Sequence, residues 1–149
     1  MAASPASREN LGFLLAKASQ RWNELLQESF AREGYPEVRA SYGSVLLPLF
    51  EEDCLRIGEV ASRAQMSKQT MTTLVRLAER DELVERREDE HDRRATRVHL
   101  TAKGRRFKPV AEKVLGELDE MAGSSLGERS KSATKQALAK LANLKGHSL

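Results

Sequence analysis

Residues 55–104 read LRIGEVASRAQMSKQTMTTLVRLAERDELVERREDEHDRRATRVHLTAKG. The spacing predicts a short helix over about 57–64, a turn at Gln65-Met66, and a restart at Ser67, whose hydroxyl suits a helix N-cap. Over 68–79, Met71, Leu74, Val75 and Ala78 make a core-facing stripe, which leaves Lys68, Gln69, Thr72, Thr73 and Arg76 facing outward. Two short helices joined by a tight turn form a helix-turn-helix pattern. Residues 83–87 and 96–100 then alternate roughly in polarity around a charged stretch, 88–95, which predicts a β-hairpin with an exposed tip.

Outward from this stretch the chain reads as helix. Leu11, Leu14, Leu15, Ala18, Trp22, Leu25, Leu26 and Phe30 fall at three- and four-residue steps, and Gly34-Tyr35-Pro36 breaks the helix they predict. A second helix is expected over about 39–50 with Tyr42, Val45, Leu46 and Leu49. Pro48 inside it predicts a kink or an early end, because proline lacks the N–H and clashes with the carbonyl four residues back. Thr101 can cap a helix reaching about Met121 that Pro109 should bend, and Gly123-Ser124-Ser125 should end it. A last helix is expected over 128–144, with its stripe on Ala133, Ala137, Leu138, Leu141 and Leu144. The fold class is mainly α with a small β-hairpin.

Composition narrows the function. A length of 149 residues with 32% charged and 40% hydrophobic side chains fits one domain over 1–149 and argues against a two-domain enzyme. No apolar run suits a membrane span, and MAASPASREN lacks a signal-peptide pattern, so a cytoplasmic location without membrane contact is expected. The single cysteine, Cys54, excludes an internal disulfide, and no Cys or His cluster has zinc-type spacing. No phosphate loop, glycine fingerprint or nucleophile with a base is present, and His91, His99 and His147 show no metal-ligand spacing; neither an enzyme nor a cofactor is expected. Charge is uneven: residues 1–53 sum to −3, 54–106 to +4 and 107–149 to +2. In the middle third arginine outnumbers lysine eleven to two, and its planar fork suits phosphate and guanine edges. That favours nucleic acid as a partner, although a solvated helical surface accounts for the charge equally well.

The run from Leu55 to Ala61, the helix after Ser67, Leu83-Val84-Glu85-Arg86, Asp92-Arg93-Arg94 and Val98-His99-Leu100-Thr101-Ala102-Lys103-Gly104 together resemble the MarR family of transcriptional regulators. The most specific part is Asp-Arg-Arg followed by an alternating strand and a Leu-Thr-x-x-Gly ending. The resemblance implies a winged helix-turn-helix: a DNA-binding lobe over about 38–101, and dimerisation helices over about 8–33 and 102–146. It implies a homodimer, a repressor on a near-palindromic operator in double-stranded DNA, and release by a small aromatic or lipophilic effector. The broad apolar stripes of the terminal helices agree with an interface. The alternative is a winged-helix module that binds protein without specific DNA binding, for which Glu82 and the acidic 88–92 stretch speak.

The DNA-contact candidates are Ser67, Lys68, Gln69, Thr72, Thr73 and Arg76 on the recognition helix and Asp92, Arg93 and Arg94 at the wing tip. The resemblance gives Arg94 the minor groove, with Asp92 holding its guanidinium; Arg93 is left to the protein or the DNA backbone. Arg86, Arg87 and Arg97 are expected to contact phosphate or serve structurally, or to pair at the surface with Glu85, Glu88, Asp89 and Glu90. Trp22, Tyr42 and Phe50 either line an effector cavity or belong to the ordinary core. Glu82 stands where the family commonly has a glycine in a left-handed conformation, at a cost on the order of 1 kcal/mol. Cys54 follows Glu51, Glu52 and Asp53, whose charge disfavours a reactive thiolate.

Overall fold

The computed structural model describes residues 4–146; the His147 reading lies outside them. Helix α1 (Leu11–Arg32) starts at Asn10, whose side-chain oxygen accepts the N–H groups of Gly12 at 2.9 Å and Phe13 at 3.3 Å. A side-chain cap of this kind satisfies donors that the first turn leaves unpaired. Gln27 then pins the following loop, donating to the Val38 carbonyl at 2.6 Å and accepting from the Ala40 N–H at 2.8 Å.

A 3-10 turn, Ala40–Tyr42, leads into α2 (Gly43–Glu51). The expected early end at Pro48 does not occur, and the Glu52 N–H still bonds the Pro48 carbonyl at 3.0 Å. Pro48 is buried with Val45, Leu46 and Leu49, so apolar contact offsets the one missing backbone bond.

Next come β1 (Leu55–Arg56), α3 (Ile57–Arg63), α4 (Lys68–Arg80), β2 (Val84–Glu88) and β3 (Thr96–Leu100). The hairpin is part of an antiparallel sheet ordered β1-β3-β2, with Leu55 opposite Val98 and Arg86 opposite Val98 on the other side. The third strand escaped the sequence reading because two residues show no alternation.

Helix α5 (Ala102–Leu126) begins at Thr101, whose hydroxyl oxygen accepts the Gly104 N–H at 3.0 Å. Gly104 lets α5 start directly on the chain leaving α4: a Cβ there would stand 2.2 Å from the Leu83 carbonyl oxygen. The helix runs through Pro109 and, against expectation, through Gly123-Ser124-Ser125. A glycine inside a helix costs about 1 kcal/mol, too little to break a long one. Gly123 is buried, and the atoms nearest the place of a Cβ are the ends of the Glu128 and Lys131 side chains. The stop is Gly127, at φ +85°, followed by α6 (Glu128–Ala142).

Tyr42, Val45, Leu49, Val60, Met71, Val75, Leu83, Val84, Val98, Phe107 and Val114 form the core, with the Phe30 and Tyr35 rings 5.0 and 4.9 Å from Phe107. This core lies in the lobe and the adjoining ends of α1 and α5. No residue of α1 before Leu26 is buried, and none of α6 is. No described helix is long and apolar enough to cross a membrane.

Candidate nucleic-acid interface

Helix α4 is fixed by Ser67, whose Oγ accepts the Thr70 N–H at 3.1 Å, and by burial of Met71, Val75 and Ala78 against the lobe. Lys68, Gln69, Thr73 and Arg76 are exposed and Thr72 is half-buried. The Thr72 and Thr73 hydroxyls donate to the carbonyls of Lys68 at 2.8 Å and Gln69 at 3.3 Å. Their hydrogens are thus committed to the helix, and what they offer outward is an acceptor oxygen and a methyl group.

The far end of α4 is clamped. The Tyr42 hydroxyl hydrogen-bonds the Asp81 carboxylate and lies 3.2 Å from the Leu77 carbonyl oxygen. That bond, with Arg80 beside it, holds the Asp81 carboxyl below its ordinary range, while burial and Asp81 push the Tyr42 phenol up. Lys103 on α5 donates to the Asp81 carbonyl at 2.9 Å. Glu82 adopts the left-handed conformation expected of it, at φ +65°. The base of the wing is tied to α4 by Arg86, whose Nε and backbone N–H each reach a Glu79 carboxylate oxygen at 3.0 Å. Arg86 accordingly keeps Glu79 ionised below the usual range.

The wing tip is organised by a residue the sequence reading assigned to surface pairing. Asp89 has a side chain with no exposed surface. Its Oδ1 accepts the N–H groups of His91 at 2.8 Å and Asp92 at 3.1 Å, and its Oδ2 accepts Arg97 Nε at 2.6 Å and Arg56 Nε at 3.2 Å. The His91 N–H first, then the Arg97 guanidinium, hold its carboxyl well below the usual carboxylate range. The available signal was an aspartate two and three residues before the amides of a turn, the pattern of an Asx turn. Asp92 differs from expectation: its Oδ1 accepts the backbone N–H of Arg94 at 3.0 Å, so it shapes the chain at Arg94 and leaves the guanidinium unheld.

Between α4 and the wing lies a concave groove of about 650 Å³ that brings together Lys68, Thr72, Arg76, Asp92 and Arg94. Ser67, Gln69, Thr73 and Arg93 are exposed but do not line it. Arg56 and Arg86 also border the groove, with their charge met by Asp89 and Glu79. Among the described residues Lys68, Arg76, Arg93 and Arg94 make no ion pair, so the groove and the wing tip carry cations free to meet an anion. Arg97 is structural, bound to Asp89 and, through Nη1, to the Cys54 carbonyl at 2.9 Å. Cys54 itself is half-buried at φ +63°, its Sγ 3.6 Å from His99 Nε2, a neighbour 45 residues away that its acidic sequence context did not announce.

A second cavity of about 230 Å³ lies between α1, α2 and α5, and Trp22 and Phe50 line it. Tyr42 does not: it is fully buried, with its hydroxyl turned to α4, and belongs to the core. Among the described residues no group of three or more His, Cys, Asp or Glu side chains is arranged to hold a metal ion.

Residues 50–95, from the end of α2 through α3, α4 and β2 to the wing tip, match the model of the MarR family. Over 85 residues, 57% of its length, the chain is 35% identical to the HTH-type transcriptional regulator TtmR of Methylorubrum extorquens (strain PA1). The chain spans less than half the length of the curated relatives it matches, 44% for TtmR and 40% for YsmB of Bacillus subtilis (strain 168). The fold is shared with PcaV of Streptomyces coelicolor, solved with its natural ligand: TM-score 0.79 at 19% identity, covering 96% of this chain and 97% of that one. It is shared equally with the transcriptional repressor CouR bound to a 23-mer DNA duplex, TM-score 0.77 at 24% identity over 96% and 100% of the two chains. The family match thus falls on the helix-turn-helix and wing, and the fold agrees with these solved structures along nearly the whole chain.

Proposed function

We propose that the protein is a sequence-specific DNA-binding transcription regulator, a homodimeric repressor that a small lipophilic or aromatic ligand releases from a near-palindromic operator. The observation that carries the reading is the groove in which Lys68 and Arg76 of α4 face Arg94 of the wing, none of the three in an ion pair among the described residues, although Glu59 and Asp92 also line it. A recognition helix in a major groove with a wing arginine in the adjoining minor groove uses this pairing of elements. Residues 38–101 then act as the DNA-binding lobe.

Dimerisation is supported by the arms. Leu14 is 51% exposed, Met121 55% and Leu138 46%, and a helix with no buried face has little to hold it in water. A two-fold pairing of α1, α5 and α6 with their counterparts would cover these side chains and present two recognition helices about one DNA turn apart. The cavity beside Trp22 and Phe50, mostly apolar and placed where the arms meet the lobe, suits a small aromatic ligand.

The test is a duplex selected from a random library, bound by the purified protein across a salt series. A DNA-binding regulator loses affinity steeply, roughly thousandfold or more over a fourfold rise in salt for 6 to 10 phosphate contacts. Failure to select any duplex would move the protein-interaction module ahead.

A further inference from the structure

We propose that Asp89 is a positioning residue for the wing: its buried carboxylate ties Arg56 and Arg97 to the base of the tip and sets the backbone from which Arg94 reaches DNA. The inference rests on the DNA-binding reading and adds to it which arginines the DNA meets.

The sheet creates the need for an anion. The β1–β3 register places Arg56 directly opposite Arg97, and like charges opposite one another on antiparallel strands repel. Asp89 sits against both, with Oδ2 taking the two guanidiniums. Its other oxygen faces the tip and takes the amides of His91 and Asp92. From there the connection continues in single bonds: Asp92 Oδ1 accepts the Arg94 N–H at 3.0 Å, and the Asp92 carbonyl accepts the Ala95 N–H at 3.0 Å. One carboxylate thus ties the paired strands to the seven-residue tip, and the loop's shape is fixed before any DNA arrives. Such preorganisation lowers the ordering cost of a contact. It also divides the arginines. Arg56 and Arg97 share one carboxylate, whereas Arg93 and Arg94 are exposed and make no ion pair.

A residue that only supported folding would, when changed, weaken every kind of DNA binding together. The positioning role predicts a split. Asp89→Asn removes one negative charge and frees two arginines while loosening the tip, so affinity for the selected duplex falls about tenfold or more. Affinity for a scrambled duplex stays level or rises, and its salt dependence steepens because more phosphates are neutralised. In the Asp89→Asn background the further change Arg94→Ala costs less than about twofold, whereas Gln69→Ala keeps its full effect.

The experiment measures binding of the full chain and these variants to both duplexes, and hydrogen exchange of the His91, Asp92 and Arg94 amides without DNA. Arg56→Gln, at a half-exposed position, is the milder variant should Asp89→Asn fold poorly: it should speed exchange of the three amides by less and shrink the cost of Arg94→Ala, while scrambled-duplex affinity falls because a cation is lost. Faster exchange at the three amides together with the split in affinity supports the inference. Unchanged exchange, or equal losses on both duplexes with the Arg94→Ala effect intact, overturns it. If the unaltered protein prefers no duplex, the DNA reading falls, while amide exchange still decides whether Asp89 holds the tip.

Discussion

The winged lobe and the helical arms are built to different standards of completeness. In the lobe, α2, α3, α4 and the sheet enclose side chains with almost no exposed surface, among them Tyr42, Val45, Val60, Met71, Val75 and Val98, and both ends of α4 are clamped by hydrogen bonds. The arms are the reverse: the first half of α1 and all of α6 bury nothing, while Leu11, Leu14, Leu138 and Leu144 stand in solvent. The lobe shares its core with the adjoining parts of α1 and α5, through Phe30, Phe107 and Val114, and only the outer parts of the arms leave apolar side chains uncovered.

The contrast can be broken most severely in the lobe. Met71→Ala, at a fully buried position, should cost about 2–5 kcal/mol and lower the midpoint of thermal unfolding without changing the assembly state of the protein that remains folded. Leu14→Asp should do the opposite, leaving the lobe's unfolding nearly intact while weakening self-association roughly tenfold to hundredfold, readable by sedimentation at falling concentration. Equal effects on folding and assembly from both changes would erase the distinction.

A pH series sharpens the picture inside the lobe. The folded carboxyl of Asp89 titrates below its unfolded value of about 3.9, so its stabilising contribution is fully present above that value and fades as pH falls through the folded one. The stability difference between the natural protein and Asp89→Asn should therefore be constant from neutral pH down to about 5 and shrink in stronger acid. A difference that grew in acid would contradict the assignment. The smallest change expected is a gain: Glu82→Gly relieves a left-handed backbone at φ +65° and should raise stability by about 0.5–1 kcal/mol after the entropy of glycine is counted.

Local chemistry made much of this readable in the sequence. Ser67 and Thr101 cap the helices they were expected to cap, the apolar stripe of α4 is buried, and Glu82 takes the conformation its position requires. Lys68, Thr72, Arg76, Asp92 and Arg94 do meet in one groove. What escaped depends on distant partners. Asp89 sits between Glu88 and Glu90 and so looks solvated in sequence; its burial follows from Arg56, 33 residues earlier, meeting Arg97 across the sheet. The Cys54–His99 contact arises from the same strand pairing. Gly123 misled because a glycine inside a helix has the same symbol as one that ends it, and only the positive φ of Gly127 marks the true end.

The most direct test is to compare the natural protein with Arg94→Ala on a library-selected duplex across a fourfold salt range. The account predicts steep salt weakening of the natural protein, and a loss of about tenfold on Arg94→Ala at fixed salt with unchanged thermal stability. Equal binding by the two proteins, or binding indifferent to salt, would contradict it.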